Sequence, residues 1–355
     1  MDRVPLLDLS IQHAEVRAEI EAALRGIVDR NAFILGENVR AFEEEAARYI
    51  GVRHAIGVAS GTDALLLALR ALGAGPGDEV LLPAFTFVST AEVVVHLGAT
   101  PVYADVDAET LCIGDVRPTP RTKAVIPVHL FGHPADMGRL STLGVPLVED
   151  GAQSFGAALG GRKTLSLGRV NCTSFFPSKN LGAWGDGGMV FTDDDAAARR
   201  IRVLRNHGWE ERKYFPEVVA YNSRLDEVQA AVLRAKLRRL DAWTSDRVAA
   251  AGRYDELLRG AVRTPPRSPG HVYHMYCIRT PRRDAVAAAL KAANVDSAVY
   301  YPSTIPATEA FRAPGSFPNA EAACREILAI PLYPGIRPET QERIAGIVRK
   351  AARGG

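Results

Sequence analysis

The stretch AIGVASGTDALLLALRAL, residues 55–72, decides the fold. Five residues suited to a buried strand run into a Ser-Gly-Thr-Asp turn, and an apolar helical segment follows without a spacer. The pattern recurs downstream: EVLLP before VSTAEVVVHLG, then TPVYADV, KAVIPVHLF before ADMGRLSTLG, VPLVED, CTSFFP and GMVFT, ending at residue 192. Short β-rich runs separated by single helices call for crossover connections, which predict a largely parallel sheet covered by helices on both faces. In such sheets ligands bind beyond the carboxyl ends of the strands.

Beyond that block, helical spacing of Leu233, Leu237 and Leu240 predicts one long helix from about Ser223 to Leu258, of the kind that links two domains. The Pro-rich VRTPPRSPG (262–270) follows, then a strand VYHMYCIR (272–279), a helix over 283–294, a strand VDSAVYY (295–301) and closing helices near 320–329 and 337–352. The expectation is an α/β large domain over 1–240 and a smaller C-terminal α+β domain over 241–355. With 43 basic against 41 acidic side chains, the net charge of +2 gives no field for nucleic acid. No apolar run is long enough for a membrane span or a signal peptide, so the expected location is the cytoplasm. Cys112, Cys172, Cys277 and Cys324 are far apart, without CxxC or His at metal spacing, so no metal site is expected and buried free thiols are.

Four features carry chemistry. Lys179, in FFPSKNLGAWGDGGMVFT (175–192), sits between an aromatic run and a glycine cluster with few charges near it. A lysine losing hydration there has a lowered pKa and a nucleophilic amine, whereas in an open turn it is an ordinary surface charge. The Ser60-Gly61-Thr62-Asp63 turn offers free N–H groups and a hydroxyl to a phosphate, and the same residue types also cap helices for structural reasons alone. Asp150 ends the strand VPLVED, where a carboxylate either faces a ligand and holds a pyridinium protonated or caps the next turn. Phe85 and Phe87 in LPAFTFVST serve as a stacking platform or as plain core.

The set SGTDALLLAL, PAFTFVSTA, PVHLFGHPADM, VEDGAQSFGA, FFPSKNLGAWGDGG and NSRLDEVQAAVL, in this order, resembles the DegT/DnrJ/StrS family of sugar aminotransferases. The likeness runs from FILGENVRAFEEEAARY (33–49) to LYPGI (332–336). It implies the aspartate-aminotransferase fold and pyridoxal 5'-phosphate as cofactor. Lys179 is then the Schiff-base lysine and Asp150 the partner of the pyridine nitrogen. Gln153 hydrogen-bonds the phenolic oxygen, and Phe87 stacks on the ring with Phe85 behind it. The phosphate is held by Gly61, Thr62, Asp63, Ser174 and an Asn222 that reaches in from a neighbouring subunit, so a homodimer shares its active sites. A deoxygenating branch of the family carries histidine where this chain has Lys179, so the resemblance implies transamination from glutamate to a keto group of a nucleotide-linked sugar.

One stretch departs from the family pattern. A His-Tyr-Pro triplet is usual near the sugar, and here AVYYPSTIPATEAF (298–311) places Tyr300 at the His position. The run RNHGWEERKYFPEVVAYNSRLDEVQAA (205–231) is nearest to members that aminate C3 rather than C4. His133 reads as a loop residue, and Arg212 and Lys213 as a solvated charge run or as diphosphate contacts. A family enzyme acting on a cyclitol or aromatic precursor, or a non-catalytic regulatory protein on this fold, are the other readings.

Overall fold

The computed structural model describes residues 2–354. Helices α1 (Ser10–Arg30) and α2 (Glu37–Ile50) precede strand β1 (His54–Val58) and helix α3 (Gly61–Ala71). Strand β2 (Glu79–Pro83), helix α4 (Ser89–His96), strands β3 (Thr100–Ala104) and β4 (Thr122–Val125), helix α5 (Met137–Ser141) and strand β5 (Val148–Asp150) follow. A small hairpin, β6 (Ala158–Leu159) and β7 (Arg162–Lys163), leads to β8 (Val170–Ser174) and β9 (Gly188–Thr192). Strand pairing gives the orders β1-β9-β8-β5 and β3-β2-β4, and parallel bridges Val125–Leu147 and Val128–Asp150 join them into one sheet.

Every strand of that sheet runs parallel to the others except β9, which is antiparallel to both β1 and β8. The cause lies in the connection. The loop between β8 and β9 contains no helix, so the chain turns back beside β8 instead of crossing over.

Alternation along the strands sorts the side chains onto two faces. Ile56, Val58, Val80, Leu82, Val148, Cys172 and Val190 face α3, α4 and α6 (Asp195–Leu204). Ala55, Met189 and Phe191 face α2 and α7 (Glu227–Leu237), while Leu81, Val125 and Leu147 face α5. All four cysteines are buried.

The expected single helix over 223–258 is two, α7 and α8 (Leu240–Leu257), broken at Arg238 and Arg239. Neither glycine nor proline is involved. The two apolar faces serve different cores: Val232 and Ala235 of α7 pack with Val16 and Ile20 of α1, and Ala251 and Tyr254 of α8 pack with Ile344 and Val348 of α11 (Pro338–Arg353). Of VYHMYCIR only Tyr276–Arg279 forms a strand, β10, because Tyr273 is left-handed (φ 44°) and its carbonyl and that of His274 turn to the buried Arg247 guanidinium. VDSAVYY is irregular, and among the described residues its β-bridges are Val4–Val295 and Ala298–Ala329. After α9 (Arg283–Ala292), helix α10 (Pro318–Glu326) stops earlier than expected, because ILAI forms β11 (Ile327–Ile330) antiparallel to β10. A separate core, from Ala250 to Val348 with Val4 added from the N-terminus, gathers around this small sheet.

Candidate active site

A cavity of about 430 Å³ opens where the parallel strands end. Ser60 lies past β1, Thr86 and Phe87 past β2, Val128 past β4, Asp150 closes β5 and Ser174 closes β8. Met275, Tyr300 and Tyr301 close it from the C-terminal part of the chain. Gly61, Thr62, Phe87, Asp150, Gln153, Ser174 and Lys179, singled out from the sequence, all line it. Asp63 and Asn222 do not.

The glycines at the edge of the cavity are there for close approach. A Cβ on Gly61 would stand 2.6 Å from Ser174 Cβ, and one on Gly188 would collide with the carbonyl oxygen of Ser60. At the start of α3, Ser60 Oγ accepts the Asp63 N–H at 3.0 Å, and the Asp63 carboxylate takes the Ser223 hydroxyl at 2.5 Å. The Asp63 N–H is therefore spent on the helix cap and its carboxylate on Ser223. The N–H groups of Gly61 and Thr62 have no acceptor among the described residues, as first-turn amides do not, and they sit beside the Ser174 hydroxyl.

Lys179 is held by its loop. Its N–H donates to Phe176 O at 2.8 Å, the buried Lys236 ammonium reaches Gly182 O at 2.5 Å, and Gln229 accepts the Trp184 N–H at 2.8 Å. Asn180 donates to Val272 O at 3.2 Å and accepts from His274 Nδ1 at 3.0 Å, which leaves His274 Nε2 buried without a partner among the described residues. Burial pushes the Lys179 amine down to about 8, against the pull of the Asp150 carboxylate.

Asp150 is buried, and burial holds its carboxyl above the usual carboxylate range. The Ala152 N–H on Oδ1 at 3.2 Å and the Thr90 hydroxyl on Oδ2 at 3.0 Å oppose that shift. Gln153 Oε1 accepts the Phe131 N–H at 2.6 Å, which fixes the amide so that Nε2 points to Tyr301 Oη at 3.3 Å on the cavity side. Phe85 is buried and meets Tyr301 edge-on, and the Phe87 ring is half exposed in the cavity wall. Thr90, Ser89, Met275 and Tyr301 were not read from the sequence. Hydroxyls inside a helical pattern and tyrosines in an apolar run give no signal of their own.

Outside this centre, Glu149 faces the other side of the sheet and accepts four donors, His129 Nε2 (2.7 Å) and the N–H groups of Leu165 (2.8 Å), Leu167 (2.6 Å) and Gly168 (2.6 Å). His133 packs edge-on against His271. Asn222 is exposed and bridges Asn206, and Arg212 and Lys213 are exposed beside Phe215 and Tyr214. Among the described residues no helix is long and apolar enough to cross a membrane.

The model of the DegT/DnrJ/EryC1/StrS aminotransferase family matches residues 14–349. The chain is 47% identical over 367 residues to the UDP-N-acetyl-3-dehydro-alpha-D-glucosamine 3-aminotransferase of Acidithiobacillus ferrooxidans, covering 99% of this chain and 98% of that one. It is 43% identical over 368 residues to the dTDP-3-amino-3,4,6-trideoxy-alpha-D-glucose transaminase of Streptomyces venezuelae, covering 99% and 96%. The crystal structure of S. venezuelae DesV in complex with a ketimine intermediate superposes with a TM-score of 0.96 at 41% identity and covers all of both chains.

Proposed function

Because the chain belongs to the DegT/DnrJ/EryC1/StrS aminotransferase family, we propose that it moves an amino group from glutamate to C3 of a nucleotide-activated keto-sugar, with pyridoxal 5'-phosphate as cofactor. The observation that carries this reading is the convergence of Lys179, Asp150, Gln153 and the open N-terminus of α3 on one cavity. The C3 position is supported by two relatives whose names place the amino group there.

The cavity fits the cofactor. It offers an amine of lowered pKa, a buried carboxylate and an anion cup in which Gly61 leaves no room for a side chain. Lys179 Nζ would hold the aldehyde carbon, Asp150 the ring nitrogen, Gln153 Nε2 the phenolic oxygen, and the Gly61 and Thr62 N–H groups with Ser174 the phosphate. When bound, the cofactor supplies the carbonyl that exchanges with the amino group and a cationic ring that takes up electrons.

The chain's own side chains supply the rest. Lys179, when its nitrogen is free, would carry a proton on and off the substrate carbon, and an amine lowered to about 8 suits both directions. Asp150 keeps the ring nitrogen protonated by its charge. Phe87 would cover one face of the ring, and Tyr300, Tyr301 and Met275, which also line the cavity, would narrow the sugar side.

The proposal includes a homodimer with shared sites. Phe87 and Phe176 belong to the cavity wall and are half exposed, and Trp184, Phe33 and Ile34 add further exposed apolar surface in one chain. Asn222 lies outside its own chain's cavity, as a residue serving a second copy would. The division at residue 240 and a cytoplasmic location belong to the same proposal.

The test is a half-reaction. The pyridoxamine form is mixed with UDP- and dTDP-linked 3-keto and 4-keto sugars, a cyclitol ketone and an aromatic keto precursor, and the return of the aldehyde form's visible absorbance is followed. A nucleotide 3-keto sugar is expected to react fastest, with Lys179→Ala inert. Reaction with the cyclitol or aromatic ketone alone would overturn the substrate class, and a Lys179→Ala variant that turns over would overturn the mechanism.

A further inference from the structure

The hydroxyls of Thr86 and Thr90 form a chain that the transamination chemistry does not by itself require. Thr90, the second residue of α4, is fully buried, and Thr86 is nearly so. Thr90 Oγ1 stands 3.0 Å from Asp150 Oδ2 and 3.2 Å from Thr86 Oγ1. A carboxylate only accepts, so the Thr90 proton goes to Asp150. The Thr90 oxygen then has only lone pairs to offer, so the Thr86 proton goes to Thr90. Two O–H dipoles thus line up on one carboxylate oxygen, each strengthening the other.

The geometry points to Thr90 as a positioning residue, with Thr86 in series, that keeps the buried Asp150 charged and aimed at the cofactor's ring nitrogen. The inference rests on the proposed role of Asp150. A threonine in the first turns of a helix ordinarily bonds back to its own backbone or to water. Here the hydroxyl is spent on a carboxylate on the neighbouring strand. No guanidinium pairs with that carboxylate in the described residues, and the titratable groups facing it are Lys179 on the β8–β9 loop, His129 after β4, Cys172 on β8 and Tyr301 from the C-terminal part. Without the hydroxyls, the carboxylate would have the Ala152 N–H as its remaining direct donor.

The ionised, buried Asp150 costs stability as pH rises through its folded pKa, which lies above the usual range, and Thr90 offsets part of that cost. The test uses the full chain with Thr90→Val, which keeps the shape and removes the hydroxyl, Thr90→Ser, which restores it, Thr86→Val, and Asp150→Asn alone and combined with Thr90→Val. Pyridoxal phosphate affinity is measured by titrating the cofactor-free chain, and its thermal midpoint is read at about pH 4, near the unfolded carboxylate's own range, and at about pH 8. Thr90→Val is expected to weaken cofactor binding by roughly tenfold or more, since a hydrogen bond to a charged group is lost. Thr86→Val should weaken it less and Thr90→Ser hardly at all. The gap in thermal midpoint between wild type and Thr90→Val should widen toward the higher pH. In the Asp150→Asn background Thr90→Val should add nothing.

Weakened binding in Asp150→Asn with normal binding in Thr90→Val would overturn the inference and leave the Asp150 assignment standing. A gap of equal size at both pH values would show that Thr90 only fills space. Normal binding and turnover in Asp150→Asn would sink the underlying reading instead.

Discussion

Glu149 and Asp150 are consecutive residues of β5 and end up in opposite worlds. The two-residue period of the strand sends Asp150 to the face shared with α3 and α4 and Glu149 to the other. Glu149 is saturated by four donors from two loops. Asp150 has two, leaving acceptor capacity turned to the cavity. A carboxylate whose lone pairs are all spent holds a fold together, while one kept short of donors is held ready for a ligand.

Exchanging each acid for its amide is the strongest way to break that contrast. Asp150→Asn is expected to lower turnover by at least about 10²-fold, because an amide cannot balance a ring cation. It should leave the melting temperature of the cofactor-free chain unchanged or raised, since it removes a buried charge. Glu149→Gln should do the reverse. It sets an amide NH₂ against donors and is expected to destabilise the fold by about 3 kcal/mol, read by chemical denaturation, with the cofactor affinity of the folded fraction kept. Matching losses of stability in the two variants would erase the distinction.

The same contrast between saturated and open groups governs what could be read from the sequence. The alternation of short strands and helices up to residue 192 was legible because burial on both faces leaves an uninterrupted apolar signature. The reversal of β9 was also there to be read, in a β8–β9 connection rich in glycine and without a helical segment. The break at Arg238 and Arg239 was not, because it follows from packing on two separate cores and leaves no glycine or proline as a mark. Tyr273 in a left-handed conformation and the ILAI segment pairing as β11 likewise depend on partners distant in sequence. In the site, residues that present their own chemistry to the cavity, Lys179, Asp150, Gln153 and Ser174, stood out by motif. Thr90 and Tyr301 act beside other side chains and carried no pattern. The Asp63 N–H goes to Ser60 Oγ and its carboxylate to Ser223, a use the sequence does not reveal because an N-cap sequence and an anion site look alike until the N–H groups are assigned.

The open side of the cavity extends the comparison from residues to chains. Asn222→Ala is expected to weaken cofactor retention several-fold, the loss of about one hydrogen bond, with the fold intact. Mixing it with Lys179→Ala should restore one working site per mixed dimer, since one chain brings Lys179 and the other Asn222. Size measurements that find only monomers, or mixtures with no recovered turnover, would end the shared-site proposal.

The smallest effect is a pH midpoint, and it tests whether Asp150 is charged before any ligand arrives. In the cofactor-free chain Lys179 is pushed down to about 8, burial lowering it and Asp150 raising it. An amine reacts only when unprotonated, so about half of Lys179 is available at pH 8, against under about one per cent of an ordinary lysine. Peptide mapping of acylation against pH should therefore show Lys179 labelled with a midpoint near 8, ahead of the surface lysines. Asp150→Asn removes the charge that favours the ammonium, so the midpoint should fall further. Glu149→Gln, on the far face of the sheet, should leave it in place. A midpoint that ignores Asp150→Asn would mean that the carboxylate is already neutral in the cofactor-free chain.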